Sequence, residues 1–155
     1  GFDIARPYHR LPAAADPRVA FLFDGVAEDP IGNDGLAGGG AGGQEIDRHD
    51  LTLGSPPHAL VVARSDGHTE EMMISKEDMP AANYMIGAPE NPLCRADLTF
   101  FETEAGGAVV STGSIAWAAA LPVGGFDNPV ARLTANAIRR LADPAPFVFP
   151  AEPAP

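Results

Sequence analysis

The sequence predicts an α/β fold, a mixed sheet of four or five short strands with one firm helix, in a layer that does not cover itself. Three observations carry this expectation. Short apolar runs rich in β-formers recur between Gly, Pro and Asp turn signals. One long amphipathic pattern lies near the C-terminus. Glycine (17) and proline (16) are abundant in the 155 residues, so elements are short and links irregular. Each sheet face needs cover, and one helix covers only part of one face. The chain is therefore expected to be incomplete alone, to pack on more protein and to show a wide apolar surface in isolation.

Composition narrows the function classes. The net charge is −11, which disfavours nucleic acid and anionic membranes as partners. No apolar run approaches the roughly 18–20 residues that span a bilayer. Cys94 is the single cysteine, so no internal disulfide forms and a reducing, cytoplasmic setting is expected. The start, Gly1-Phe2-Asp3-Ile4-Ala5-Arg6, has no basic-then-apolar signal pattern, and a processed or partial chain is expected.

Residues 1–18 are extended and turn-rich, with Pro7, Pro12 and Pro17. Tyr8, His9 and Arg10 cluster there. A tyrosine can ligate ferric iron, but a partly exposed aromatic packing over the fold is the simpler reading. Val19-Ala20-Phe21-Leu22-Phe23 reads as a buried strand, being a continuous apolar run between turn signals.

The stretch Gly35 to Arg48 holds six glycines in fourteen residues and is an irregular loop. It ends in Glu45, Asp47 and Arg48, followed by His49 and Asp50, which suits a pliable active-site wall or a solvated surface connection. Gly38, Gly40 and Gly43 match G-x-G-x-x-G literally. A dinucleotide site needs a strand entering that loop and a helix leaving it. Here turn chemistry (Ile31-Gly32-Asn33-Asp34) enters and only a short helix fits before Gly54, so nucleotide binding is rejected.

His58 to Arg64 is a second strand, turned by Ser65-Asp66-Gly67-His68, with Glu71 to Ser75 returning as a shorter hairpin strand. His58 and His68 have no zinc spacing. Lys76 to Arg95 is broken by Pro80, Pro89 and Pro92 and is loop with at most one helical turn. Cys94 lacks the strand-to-helix elbow of a nucleophile and reads as a small buried apolar residue. Ala96 to Thr103 alternates and is a strand, Glu104 to Gly107 a tight link, and Ala108 to Thr112 the partner strand. Ile115 to Leu121 makes one to two helical turns, capped by Ser114. Asp127 or Asn128 caps the last helix, with Pro129 in its first turn. Its apolar face is Val130, Leu133, Ala137, Ile138 and Leu141. Residues 144–155 hold five prolines and read as an extended, partly disordered tail after a domain spanning 1–143.

Several ordered motifs carry a resemblance. They are Phe21-Leu22-Phe23-Asp24-Gly25-Val26, the loop Gly38-Gly39-Gly40-Ala41-Gly42 leading to Glu45-Ile46-Asp47-Arg48, and Gly54-Ser55-Pro56-Pro57-His58-Ala59-Leu60-Val61-Val62-Ala63. Pro92-Leu93-Cys94-Arg95-Ala96-Asp97-Leu98, Phe100-Phe101-Glu102-Thr103, Ser111-Thr112-Gly113-Ser114-Ile115-Ala116-Trp117 and Phe126-Asp127-Asn128-Pro129-Val130 follow. Together they resemble the C-terminal portion of the large (beta) subunit of the N,N-dimethylformamidase family. The resemblance implies a glutamine-amidotransferase-like (flavodoxin-like) domain in an oligomeric amidohydrolase. That enzyme would cleave a small amide, N,N-dimethylformamide, to formate and dimethylamine. It implies a mononuclear iron held by two tyrosines and a glutamate in segments before Gly1. Neither Tyr8 nor Tyr84 stands in a matching tyrosine motif, so no iron ligand is assigned here and the chain alone is expected to be inactive. The partners it implies are the remainder of the large subunit, a small subunit and a small amide.

Within the matching Glu-Ile-Asp-Arg motif, Glu45 is the candidate proton donor to the leaving amide nitrogen. The alternative is that Glu45 pairs with Arg48 and only fixes the loop. Asp47 and Arg48 are expected in structural ion pairs, and His49 is a second proton-transfer candidate. The competing function is a non-catalytic interaction module whose sheet docks on a partner.

Overall fold

A computed structural model describes residues 5–36, 39–69, 72 and 91–151. Its centre is a four-stranded sheet in chain order: β1 (His9–Arg10), β2 (Leu60–Ser65), β3 (Ala96–Glu102) and β4 (Ala108–Ser111). All three pairings are antiparallel. The sheet was expected to be mixed; the described one is a meander. The parallel strands of a flavodoxin-like layer are not among its members. The β3–β4 turn is tight, as its glycines require, with Gly106 at φ 83°.

Strand parity divides the sheet. Ala96, Leu98 and Phe100 of β3 are fully buried and face the core with Tyr8, Leu22, Val62, Trp117, Val130 and Leu133. Helix α1 (Ala116–Ala120) and helix α2 (Pro129–Ala142) belong to this side. They are tied together by Trp117 Nε1, which donates to Thr134 Oγ1 at 3.0 Å. Asn128, not Asp127, caps α2, its Oδ1 accepting from Ala131 N at 2.9 Å.

Four expectations need correction. Val19 to Phe23 is not a strand but part of a 3₁₀ helix, Pro17–Phe23. Pro17 starts it and the Asp16 carboxylate accepts from Arg18 N, while Val19 and Leu22, three apart, are the buried pair. On α2, Val130, Leu133 and Ala137 are buried, whereas Ile138 is 62% exposed and Leu141 41%. The tail is docked rather than loose through Phe149. Phe147 N–H reaches Gly106 O at 2.8 Å and its ring meets Phe21 and Phe100. Finally, the exposed apolar surface lies mostly off the sheet. Leu36, Leu51, Leu53, Ile115, Phe126, Ile138 and Val148 are each more than half exposed, while among β2 to β4 only Val109 stands out.

The expected strand from Glu71 to Ser75 lies outside the described residues apart from Met72, as do most of Lys76 to Arg95 and Tyr84. Cys94 is buried, as expected, beside Met72 and Ile46.

Candidate functional site

The glycine stretch is irregular, but it is not a pliable rim. Gly40, Gly42 and Gly43 are buried. Arg6 N donates to Gly42 O at 2.7 Å, and Gly42 N returns to Arg6 O at 2.8 Å. A Cβ on Gly40 would stand 2.6 Å from the Arg6 backbone, and one on Gly42 2.3 Å from Ser65 Oγ. The glycines therefore let two backbones touch, and fix the loop between the N-terminal segment and the end of β2.

Ser114 fastens the far end of this loop. Its Oγ accepts from Gly43 N at 2.8 Å and from Ala116 N at 3.1 Å, and donates to Gly43 O at 3.0 Å. It caps the turn that opens α1, as its type suggests, and in addition clamps the glycine loop. Ile115 N then donates to Glu45 O at 3.2 Å, and Asp47 N to Gly113 O at 2.9 Å. Between the clamps, Gln44 has φ 63°, a left-handed backbone that a side-chain-bearing residue seldom adopts. This kink sets the direction in which the chain presents Glu45.

Glu45 is exposed and makes no ion pair with a described residue. The alternative pairing with Arg48 does not occur, because Arg48 Nη2 holds Asp50 at 3.1 Å. Asp47, expected in an ion pair, is exposed and contributes its backbone: its O accepts from Asp97 N at 2.9 Å. His49 lies elsewhere. Its Nε2 lies 3.2 Å from Pro56 O, a carbonyl that can only accept, so Nε2 is the donor. A cavity of about 140 Å³ opens there on the second sheet face, lined by Arg48, His49, Asp97, Thr99, Phe101 and Ser111 among others. Glu45 does not line it. The two candidate proton-transfer residues are thus not brought into one site.

Asp97 is the residue that sequence reasoning missed. Its side chain is fully buried and is gripped by Arg64 Nε at 2.7 Å and Arg95 Nε at 3.1 Å. Its Oδ2 also accepts from His49 N at 2.9 Å. An aspartate inside a β-forming run is itself a signal, since strands disfavour it unless its charge is used.

The Tyr8 cluster is also resolved. Tyr8 is fully buried rather than partly exposed, stacks edge-on against Trp117 and donates its hydroxyl to Thr112 O at 2.6 Å. Burial above all pushes its phenol far above the usual range. The Ser114 hydroxyl works against that, and the Asp97 charge adds to it. Among the described residues no group of three or more His, Cys, Asp or Glu could hold a metal ion. No helix among them is long and apolar enough to cross a membrane.

Comparison with known proteins gives these residues a family. The family model described as N,N-dimethylformamidase beta subunit-like, C-terminal, matches residues 2–131. The N,N-dimethylformamidase beta subunit of Paracoccus aminophilus is 40% identical over 151 residues. Its counterpart from Alcaligenes sp is 38% identical over 151 residues. Both alignments cover 96% of this chain but only 20% of the relative, so the chain spans about a fifth of their length. With the motifs in order and nearly the whole chain aligned, the chain belongs to the N,N-dimethylformamidase beta subunit-like, C-terminal family.

Proposed function

We propose that this chain works as the C-terminal part of an amidohydrolase that cleaves a small N-substituted amide, such as N,N-dimethylformamide, to formate and an amine. The observation that supports it is the 40% identity over 151 residues to a subunit bearing that enzyme's name. The partners are the remainder of the large subunit and a small subunit, in the cytoplasm. The sheet described above would join a glutamine-amidotransferase-like domain whose parallel strands come from outside this chain.

The mononuclear iron implied by the resemblance does not fit the residues described here. Tyr8 spends its buried hydroxyl on Thr112 O, and Tyr84, the other tyrosine of the chain, lies outside the described residues. Its ligands belong to other segments, and no step is derived through it. What this chain can supply is a proton. In the reaction, the oxygen of water bonds to the carbonyl carbon, the C–N bond breaks, and the nitrogen leaves with a proton. An amide nitrogen is too weakly basic to leave without one, and a positioned carboxyl group can deliver it. Glu45 is proposed for that delivery, and the proton is restored from the attacking water. Glu45 is favoured over His49 because it makes no ion pair with a described residue and is set by a kinked backbone, whereas His49 Nε2 is committed to Pro56 O.

In the full-length protein, Glu45→Gln is expected to lower turnover by roughly 10²- to 10⁴-fold while metal content stays unchanged. Unchanged turnover would end the catalytic role. It would favour the non-catalytic interaction module, which is supported by the lack of a complete acid–base–nucleophile set among the described residues.

A further inference from the structure

The edge of the molecule that carries Glu45 also exposes two aliphatic residues. Leu36 is 76% exposed and Ile115 51%. Both are anchored to the same short helix. Ile115 directly precedes α1 and binds Glu45 O, while Leu36 N–H reaches Ala119 O at 3.3 Å. Ile115 and Ala119 are four residues apart, so they share one side of the helical turn. Scattered exposed leucines need no explanation. Here two exposed aliphatic residues and an exposed glutamate without a described ion pair are tied by backbone hydrogen bonds to one helical turn, beside the Ser114 clamp. A fixed apolar patch with one polar group is how the core of an interface is built.

Two facts identify the occupant. The relatives carry about four-fifths of their length outside the aligned part, since the chain covers 20% of each, and the family model describes the match as C-terminal. A long upstream polypeptide is therefore present in those proteins to cover this face. A second copy of this chain is a poor occupant, because each copy carries a net charge of −11 and a symmetric contact would bring two Glu45 carboxylates toward each other.

We propose that the face formed by Leu36, Ile115 and Ala119 beside Glu45 is the docking surface for an upstream segment of the same subunit. That segment is apolar where it meets Leu36 and Ile115 and leaves the Glu45 carboxyl unpaired. This deepens the dimethylformamidase-like reading by naming where the chain meets the rest of its subunit, and it rests on that reading.

Hydroxyl-radical footprinting of the wild-type full-length subunit tests it without any substitution. Leu36 and Ile115 should be oxidised roughly tenfold more slowly in the native than in the urea-unfolded protein, because a filled interface excludes water. That protection should not change on dilution. Protection below about twofold, as for a side chain left in solvent, overturns the proposal. So does protection that fades on dilution, which would reveal a second copy as the occupant. Amide hydrolysis measured on the same sample separates the two claims. A protected face in a protein that cleaves no formamide keeps the docking and removes the activity; an open face in an active enzyme does the reverse.

Discussion

Asp97 carries more of the second sheet face than any other single residue described. Its carboxylate is shared between Arg64 and Arg95 and also holds the His49 backbone, so the loop and two strands meet on one charge. Asp97→Asn would leave two guanidiniums without an anion. The side chains of Arg64 and Arg95 keep 31% and 17% exposure, so water would offset part of the loss. The expected cost is about 3 kcal/mol, at the low end for breaking a buried pair, read as a lowered urea midpoint. An unchanged midpoint would show that the charge is not used. Asp50 makes a smaller prediction with a definite sign. The Thr52 hydroxyl first, then the Thr52 backbone N–H, with Arg48 adding, hold its carboxyl below the ordinary 3.8. A depressed folded value means that the unfolded chain binds more protons in acid. The stability Asp50 contributes is therefore present above about pH 4 and lost as pH falls through the lower folded value. A carbon-detected NMR titration should find the Asp50 midpoint below 3.8, and Thr52→Val should raise it. At this scale the sequence was half legible. Cys94 and Ser114 behave as their residue types suggest. The Arg48 partner did not: the Gln44 kink turns the chain at Glu45, and the Arg48 guanidinium holds Asp50 instead.

Among the elements, α2 shows how local chemistry becomes tertiary structure. Asn128 caps it with Oδ1, while Nδ2 donates to Ala120 O, Leu121 O and Val123 O at the exit of α1. One side chain thus closes two helix ends. Asn128→Ala should cost about 2 kcal/mol, the upper end of the capping scale, and Asn128→Ser less, since its hydroxyl keeps a cap acceptor while the three amide donations are lost. Thermal midpoints in that order check it; equal losses would mean that the donations alone matter. Pro129 and the Val130, Leu133 and Ala137 spacing were readable from sequence, the cap only as Asp127 or Asn128, and Ile138 and Leu141 were placed on the wrong face. The 3₁₀ helix Pro17–Phe23 was not, because a continuous apolar run has no period that separates strand from helix. Its long-range ties decide the matter. Asn136 Nδ2 donates to Leu22 O and Asp24 O, and Arg18 pairs with the buried Glu102 at 3.3 Å. The tail was misread for a related reason. Proline content argued for looseness, but Phe147 anchors it, with the Arg140 guanidinium 3.7 Å from its ring centroid.

For the whole molecule, the sheet covers one face well and leaves its other obligations outside. Its core side is closed by α1, α2 and the 3₁₀ helix, more cover than the one amphipathic pattern in the sequence had implied. What the pattern did not reveal is that the exposed apolar side chains would lie mostly on loops and helices rather than on the sheet. Three of the helical segments before β2 are 3₁₀, with poorer hydrogen-bond geometry than α-helix, so packing supplies much of their order. If the Glu45 edge is an interface, removing the rest of the subunit uncovers Leu36 and Ile115 and withdraws the contacts that hold them. Residues 1–155 expressed alone should then unfold at a lower urea concentration than the same residues within the full subunit. With a slope of roughly 1–3 kcal/mol per molar urea, a midpoint drop of about 1 M corresponds to that same range of lost free energy. Hydrogen exchange should place the loss first at the Gly43–Glu45 loop and α1, where the interface contacts end, and last in β3, whose residues are buried on both faces. Equal midpoints and equal exchange in the two proteins would mean that this chain completes its own fold and needs nothing from upstream.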